Sequence, residues 1–467
     1  MTLPVKVITT TFKGVLLSLT SAPLPCGRSS IPAIQRLHRL DATDDLGIVL
    51  NNLTGAWMGG RREDICAIFD HLSTGEPGLD RLPPTARDEI RKGEISRMSL
   101  EPPEFRPHLA VIHVGHVCNI DCSYCYAPKD HLAMSDEVMH KVTDFLAGLN
   151  HPLFVQFMGG EPLIYRKQIS RLVELLNDKR AGLETTYGLQ TNGLFLVDPD
   201  LITFLQDRKI RFGISYDGPG EMSRARFGHR LPQLLAKTEQ VIDDLLARGH
   251  KFGILAVLNR SNAGRLPELL EWCLARGITS LLINPLLSGQ GKTDAHSLSP
   301  EEATRSMREL FRYWVDRKLY KKIELEGFQA FEDNVGALSR QYMCRKQRCG
   351  AGREQLAFDT EGNIFPCDYL VGESHFELGN VQSLQPLSIR DSERMKALHE
   401  EVHPDRLSEC SSCPMFAFCG SCMASSHFHN GTLNGRRGSC HTDYAVIQDI
   451  VFEMLSNEDY REHILNR

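Results

Sequence analysis

Cys118-Asn119-Ile120-Asp121-Cys122-Ser123-Tyr124-Cys125-Tyr126 is a short stretch that carries three thiols, spaced x3 and then x2. It follows an apolar run, residues 109–114, that reads as a buried strand. Three thiolates on one loop can hold three irons of a 4Fe–4S cube. The fourth iron then stays open, as a catalytic metal position requires. A structural zinc site wants four ligands, typically as two Cys-x2-Cys pairs, and no fourth cysteine lies nearby. A disulfide leaves one thiol over. The loop reads as an iron–sulfur site.

From residue 109 to about 327 the pattern alternates strand and helix. Strands are expected over 109–114, 153–158, 185–191, 210–215, 252–258 and 280–285. Helices are expected over 136–149, 169–176, 231–247, 266–275 and 301–315. The first is capped by Ser135 and buries Val138, Val142, Phe145, Leu146 and Leu149. Such βα repeats make a parallel sheet with right-handed crossovers. Parallel barrels build their sites at the carboxyl ends of strands, and the distinctive motifs fall there. Gly159-Gly160-Glu161-Pro162-Leu163 follows the second strand and Gln190-Thr191-Asn192-Gly193 closes the third. Ser215-Tyr216-Asp217-Gly218-Pro219 closes the fourth, and Asn284-Pro285 the sixth. The paired glycines bring backbone close to a ligand and leave amide and carbonyl groups free for a polar head. A plain strand-to-helix turn is the alternative. Cys273, inside a helix, reads as core.

Beyond about residue 327 the helices are expected to thin out, and cysteines return. Cys344, Cys349 and Cys367 come first, with Gly362 just ahead of Cys367. Cys410-x2-Cys413-x5-Cys419-x2-Cys422 and Cys440 complete eight, the number that fully ligates two clusters. The rival is a four-cysteine zinc ribbon from Cys410, Cys413, Cys419 and Cys422, which orphans the earlier three. Asp368, next to Cys367, reads either as an exposed carboxylate on a turn or as a general base beside a cluster. His427 and His429 read as surface, and residues 446–467 as a helical tail.

Cys118, Cys122, Cys125 and the aromatic Tyr124 match the signature loop of the radical S-adenosylmethionine (SAM) enzymes, which this chain resembles. The resemblance implies an α/β fold, a partial (β/α)6 TIM-like barrel over residues 105–330. It implies that the open iron chelates the amino and carboxylate groups of SAM, and that one electron cleaves SAM to a hydrogen-abstracting 5′-deoxyadenosyl radical. By resemblance, Gly159, Gly160, Glu161 and Pro162 hold the SAM amino group. Ser215 and Arg226 hold its carboxylate, which suits a bidentate guanidinium; Arg224 and Arg230 compete for that place. Asn192 also faces the cofactor, and Asn284 touches the adenosine. Residues 331–445 resemble the SPASM extension, which carries two auxiliary 4Fe–4S clusters. The first would use Cys344, Cys349, Cys367 and Cys422, the second Cys410, Cys413, Cys419 and Cys440. The chain departs from the family in having x2, not x3, between Cys419 and Cys422. Anaerobic sulfatase-maturating enzymes place a proton-accepting aspartate after the cysteine that matches Cys367. The implied cofactors are three 4Fe–4S clusters and SAM, over roughly residues 108–445.

Residues 1–104 carry no chemical constellation. Strands are expected at 5–9, 15–17 and 46–50, and a helix at 62–72 with Ile65, Ile68, Phe69 and Leu72 on one face. Cys26 and Cys66 read as packing or surface, and the Pro-rich 101–107 as a joint. This small α+β region resembles the peptide-recognition domain of ribosomal-peptide maturases; a structural extension is the alternative. With 42% hydrophobic and 24% charged residues, the 467-residue chain has the composition of a soluble globular protein. A net charge of -6 speaks against nucleic acid. No apolar run suits a membrane span or signal peptide, so a cytoplasmic protein is expected. There, 14 cysteines point to clusters, because the cytosol keeps thiols reduced.

The function expected is a radical SAM oxidoreductase that modifies a precursor peptide or protein. It would oxidise or cross-link side chains (cyclophane or thioether type), drawing electrons from a donor such as flavodoxin or ferredoxin. The alternative is an anaerobic sulfatase-maturating enzyme converting Cys or Ser to formylglycine. Those enzymes start close to their cluster loop, whereas more than a hundred residues precede Cys118 here. A non-catalytic iron–sulfur sensor or scaffold is the third reading, against which the SAM motifs speak.

Overall fold

The computed structural model describes residues 37–41, 46–52, 57–74, 104–127, 130–286, 295–336, 343–407 and 409–467. The strands expected at 5–9 and 15–17, Cys26 and the start of the Pro-rich joint lie outside them. The core is one ten-stranded sheet. Six strands, β4 (Leu109–Gly115), β5 (Leu153–Gly159), β6 (Thr185–Thr191), β7 (Ile210–Ser215), β8 (Gly253–Leu258) and β9 (Ser280–Pro285), run parallel in chain order. Neighbours pair in register, as in Leu109↔Phe154 and Tyr187↔Ile210. That is the parallel sheet expected from the βα repeat, in the partial-barrel order that the resemblance implied.

Apolar periodicity explains the helices that cover it. Asp136–Ala147 starts at Ser135, whose side chain accepts from Val138 N, and buries Val138, Val142, Phe145 and Leu146. Pro300–Asp316 starts at a capping box of Ser299 and Glu302. The helix Pro199–Asp207, capped by Asp198, has no counterpart in the sequence expectations. Cys273 is fully buried, as expected for core.

The sheet does not stop where the cysteine-rich segment begins. β11 (Gln355–Phe358) pairs parallel with β4, from Gln355↔Leu109 to Phe358↔Ile112. β12 (Asn363–Phe365) and β13 (Gly379–Asn380) continue it antiparallel. At the other edge β10 (Glu324–Leu325) pairs with β9. β4 is thus central and buried along most of its length, which suits its unbroken apolar run. The C-terminal segment is also richer in helix than expected. Glu326–Gly336, Glu393–Glu401, Met423–Asn430, Cys440–Ser456 and Glu458–Leu465 are all helical. Arg308 ties Cys440–Ser456 to Pro300–Asp316 through two 2.6 Å bonds to Asp449.

Near the N-terminus β1 (Leu37–Asp41), β2 (Leu46–Asn51) and β3 (Trp57–Arg61) form an antiparallel sheet beside the helix Arg62–Thr74. Ile48, Val49, Leu50, Ile65 and Ile68 make its interior. Cys66 accepts a bond from Arg39 within this module. Among the described residues no helix is long and apolar enough to cross a membrane.

Candidate cluster and cofactor site

The first cysteine loop leaves β4 under tight steric control. A side chain at Gly115 would lie 2.2 Å from the Tyr165 ring, and Tyr165 Oη accepts from Val117 N at 2.9 Å. Gly159 has φ 123°, and a Cβ there would meet the Gly115 carbonyl at 2.2 Å. A Cβ on Gly160 would meet the Val117 carbonyl at 2.3 Å. The amides of Gly160 and Glu161 donate to the carbonyls of Gly115 and Val117, both at 2.9 Å. These amides, expected to be free for a polar head, are therefore spent on the cluster loop. The glycines are needed because two backbones touch.

Glu161 is buried and brackets three elements. Its carboxylate accepts from Leu163 N, Thr191 Oγ1 and Asn192 N. Burial pushes its carboxyl up, against the lowering effect of those bonds. Asn192 in turn donates to Asn119 Oδ1 at 2.7 Å and lies 3.9 Å from Cys118 Sγ. Glu161 and Asn192 thus position the loop. Pro162 opens the buried turn Pro162–Tyr165. Ser215 accepts from Gln190 Nε2 at 3.0 Å. Asn284 is next to last in β9, half-buried, in register with Val257.

The far side of the loop is pinned by a buried triad. Asp217 accepts from Tyr124 Oη at 2.5 Å, Arg226 NH2 at 2.8 Å and Val257 N at 3.0 Å. Ser123 adds two bonds to the Ala225 carbonyl, from N and Oγ. Arg226 is only 5% exposed, and a buried charge needs its partner. It is therefore not the free carboxylate clamp expected; one terminal nitrogen is committed to Asp217, and its Nε has no partner among the described residues. Its rivals are also engaged, Arg224 with Glu221 at the surface and Arg230 with the Asn119 carbonyl.

The remaining eight cysteines divide by neighbourhood. Cys367 feels Cys349, Cys422 and Cys344, and Cys349 feels Cys422 and Cys344. Cys410 feels Cys440 and Cys413, while Cys419 feels Asp443, Arg437 and Cys440. The x2 spacing leaves Cys422 facing the first foursome because Gly420, at φ 74°, turns tightly against the backbone of Arg345 and Lys346. Burial and crowding push Cys349 and Cys410 up to about 12, and burial pushes Cys413 up to about 11. Cys122 is pushed up to about 12 by burial, with Arg226 acting against it. Thiols so placed ionise only beside compensating cations, which fits iron–sulfur ligation. Among the described residues no three His, Cys, Asp or Glu side chains close around a single-ion position.

Asp368 joins the first loop to the cysteine-rich segment. One carboxylate oxygen lies 2.7 Å from His113 Nε2, and the other accepts from Tyr126 Oη at 2.6 Å. Its side chain is 17% exposed, so the exposed-turn alternative is corrected: two donors from the barrel side enclose it. Burial pushes its carboxyl up, but His113 and Tyr126 outweigh this and hold it below the usual carboxylate range. Sequence reasoning missed both donors. Tyr126 sits beside Cys125 and could have been suspected; His113, buried within the apolar run of β4, carried no separate signal. His427, expected at the surface, packs its ring on Phe376 at 4.8 Å, whereas His429 is exposed.

Comparisons with known proteins bear on the two cysteine-bearing segments. The radical SAM superfamily model matches residues 112–273, and the iron–sulfur cluster-binding domain model, SPASM, matches residues 349–414. A cysteine-type anaerobic sulfatase-maturating enzyme of Clostridium perfringens is 25% identical over 335 residues, 65% of this chain and 85% of the relative. The structure of native anSMEcpe with bound AdoMet and Cp18Cys peptide superposes with TM-score 0.65 at 22% identity, over 77% of this chain and 99% of that one. Streptococcus suis SuiB bound to precursor peptide SuiA gives 0.54 at 16% identity, over 85% and 98%. The two matched segments are joined through β4 and β11: the chain carries a radical SAM domain and a SPASM iron–sulfur cluster-binding domain.

Proposed function

We propose that this protein is a maturase that oxidatively modifies side chains of a ribosomally made peptide or protein. The observation that carries it is Asp368, held between His113 and Tyr126 where the first cysteine loop meets the cysteine-rich segment. With a 4Fe–4S cluster and SAM bound, Cys118, Cys122 and Cys125 would support one-electron cleavage of SAM to a hydrogen-abstracting radical. Removing a hydrogen atom from a C–H bond and then one electron from the carbon, for which an auxiliary cluster on the C-terminal cysteines would be the acceptor, releases a proton. Asp368, whose carboxyl is held below the usual carboxylate range, is its proposed acceptor. Glu161, Asn192, Asp217 and Tyr124 hold the loop and its thiols in place, since positional selectivity demands a fixed geometry. Gly159, Gly160, Pro162, Ser215, Asn284 and Arg226 remain the proposed surroundings of SAM, with Arg226 acting through Asp217. Two auxiliary clusters are proposed on the two foursomes of cysteines, which makes three clusters in all, fed by a flavodoxin- or ferredoxin-like donor.

Two products compete. Cross-linking of a precursor peptide is favoured by the N-terminal sheet that precedes the barrel, proposed to hold a leader segment. Formylglycine formation is favoured by the sulfatase-maturating relatives. Incubating reconstituted protein with SAM, reductant and either the Cp18Cys peptide or a precursor peptide encoded nearby decides between them. Mass spectrometry reads a thiol replaced by an aldehyde in the first case, and loss of two hydrogens in the second. SAM cleavage without change in either peptide would overturn the maturase reading for these substrates.

A further inference from the structure

One side chain of the N-terminal module is built into the cysteine-rich segment. Asn52 directly follows β2 and is fully buried. Its Nδ2 donates to the carbonyls of Ser411 and Cys413, both at 2.9 Å. Its own backbone carbonyl accepts from Gln347 Nε2 at 2.8 Å. The Gln347 carbonyl accepts in turn from Ser421 Oγ at 2.6 Å. Asn52 therefore grips the 410–413 turn directly and reaches the 419–422 turn through Gln347 and Ser421. Its orientation is determined: swapping Nδ2 for Oδ1 would set an acceptor against two carbonyls. Trp57, on β3, makes a second anchor by donating to the Val335 carbonyl at 2.9 Å. The adjacent Asn334 donates to the carbonyls of Arg345 and Phe418, both at 2.8 Å. Buried amides thus tie together the backbone beside Cys344, Cys413, Cys419 and Cys422. The short turns concerned have little regular structure of their own until Phe416–Cys419.

We infer that Asn52 is a positioning residue of the second auxiliary site, and that the N-terminal module is a structural part of that site rather than an appendage. Loading of Cys410, Cys413, Cys419 and Cys440 then depends on the module being docked. This rests on the reading that those four cysteines hold a cluster.

The test uses full-length Asn52→Leu and Asn52→Asp beside wild type and Cys413→Ala, all reconstituted anaerobically. Asn52→Asp keeps the shape and turns the donor into an acceptor facing two carbonyls. Both Asn52 variants should lose about four irons per chain, one cluster's worth. They should lose the same electron paramagnetic resonance signal that Cys413→Ala loses, while uncoupled SAM cleavage persists. Full iron in both Asn52 variants, with Cys413→Ala deficient, overturns this inference and leaves the ligand reading standing. Full iron in all three overturns both. Loss of every cluster together in the Asn52 variants also overturns it, because the effect would then be global.

Discussion

Replacing Asp217 should loosen the first cysteine loop without touching a thiol. In the fold its carboxylate receives Tyr124 Oη, Arg226 NH2 and Val257 N within 3.0 Å. Asp217→Ala strands the buried Arg226 charge, and breaking one side of such a pair costs about 3–5 kcal/mol. Tyr124→Phe removes only one bond to a charged acceptor, about 1.5–3 kcal/mol. At about 1.4 kcal/mol per tenfold, even the lower figure for Asp217→Ala moves the loop's closed population about 100-fold. The penalty falls on the loop because Tyr124 bonds Asp217 directly, and Ser123 and Asn119, through Ala225 and Arg230, add to that hold. The assay is iron release under chelator challenge, with iron on the C-terminal cysteines as internal reference, beside thermal melting. Release from the first loop should accelerate in the order wild type, Tyr124→Phe, Asp217→Ala. Release within a few-fold of wild type in Asp217→Ala, with a melt shifted by no more than an exposed substitution causes (about 0.5 kcal/mol), refutes the reasoning.

Asp368→Asn should keep its iron and still cleave SAM, yet form modified peptide ~100-fold more slowly or worse, the usual span of a lost general base; deoxyadenosine and product measured in one reaction check this. Wild type should bind about twelve irons and Cys410→Ala fewer, with stoichiometric zinc in either as the contrary result. His399 is buried with Nε2 3.0 Å from the Ala351 carbonyl, and burial, then the nearby Arg353, push it down to about 4. The unfolded chain binds a proton between about pH 6.5 and 4 that the fold refuses, so this stability is complete above 6.5 and lost as pH falls. His399→Gln should flatten melting over that window, by up to roughly 3 kcal/mol at its acid end; an unchanged slope would count against it.

The sequence alone determined most of the barrel's elements and their order, the helix Pro199–Asp207 excepted. The strands at 185–191, 210–215 and 280–285 and the helices at 231–247 and 266–275 form over those residues, because each is set by local apolar periodicity and caps. The three-thiol loop was legible for a similar reason, since spacing along a short loop is itself geometry. What lay between distant segments was not. That β11 completes the sheet beside β4, that Arg226 is spent on Asp217, and that Tyr126 and His113 share Asp368 depend on pairs more than a hundred residues apart or on which face a side chain takes. The Asn52 contact spans 359 residues. Such contacts leave no period in the chain, and only tertiary packing, which forces buried polar groups to find partners, decides them.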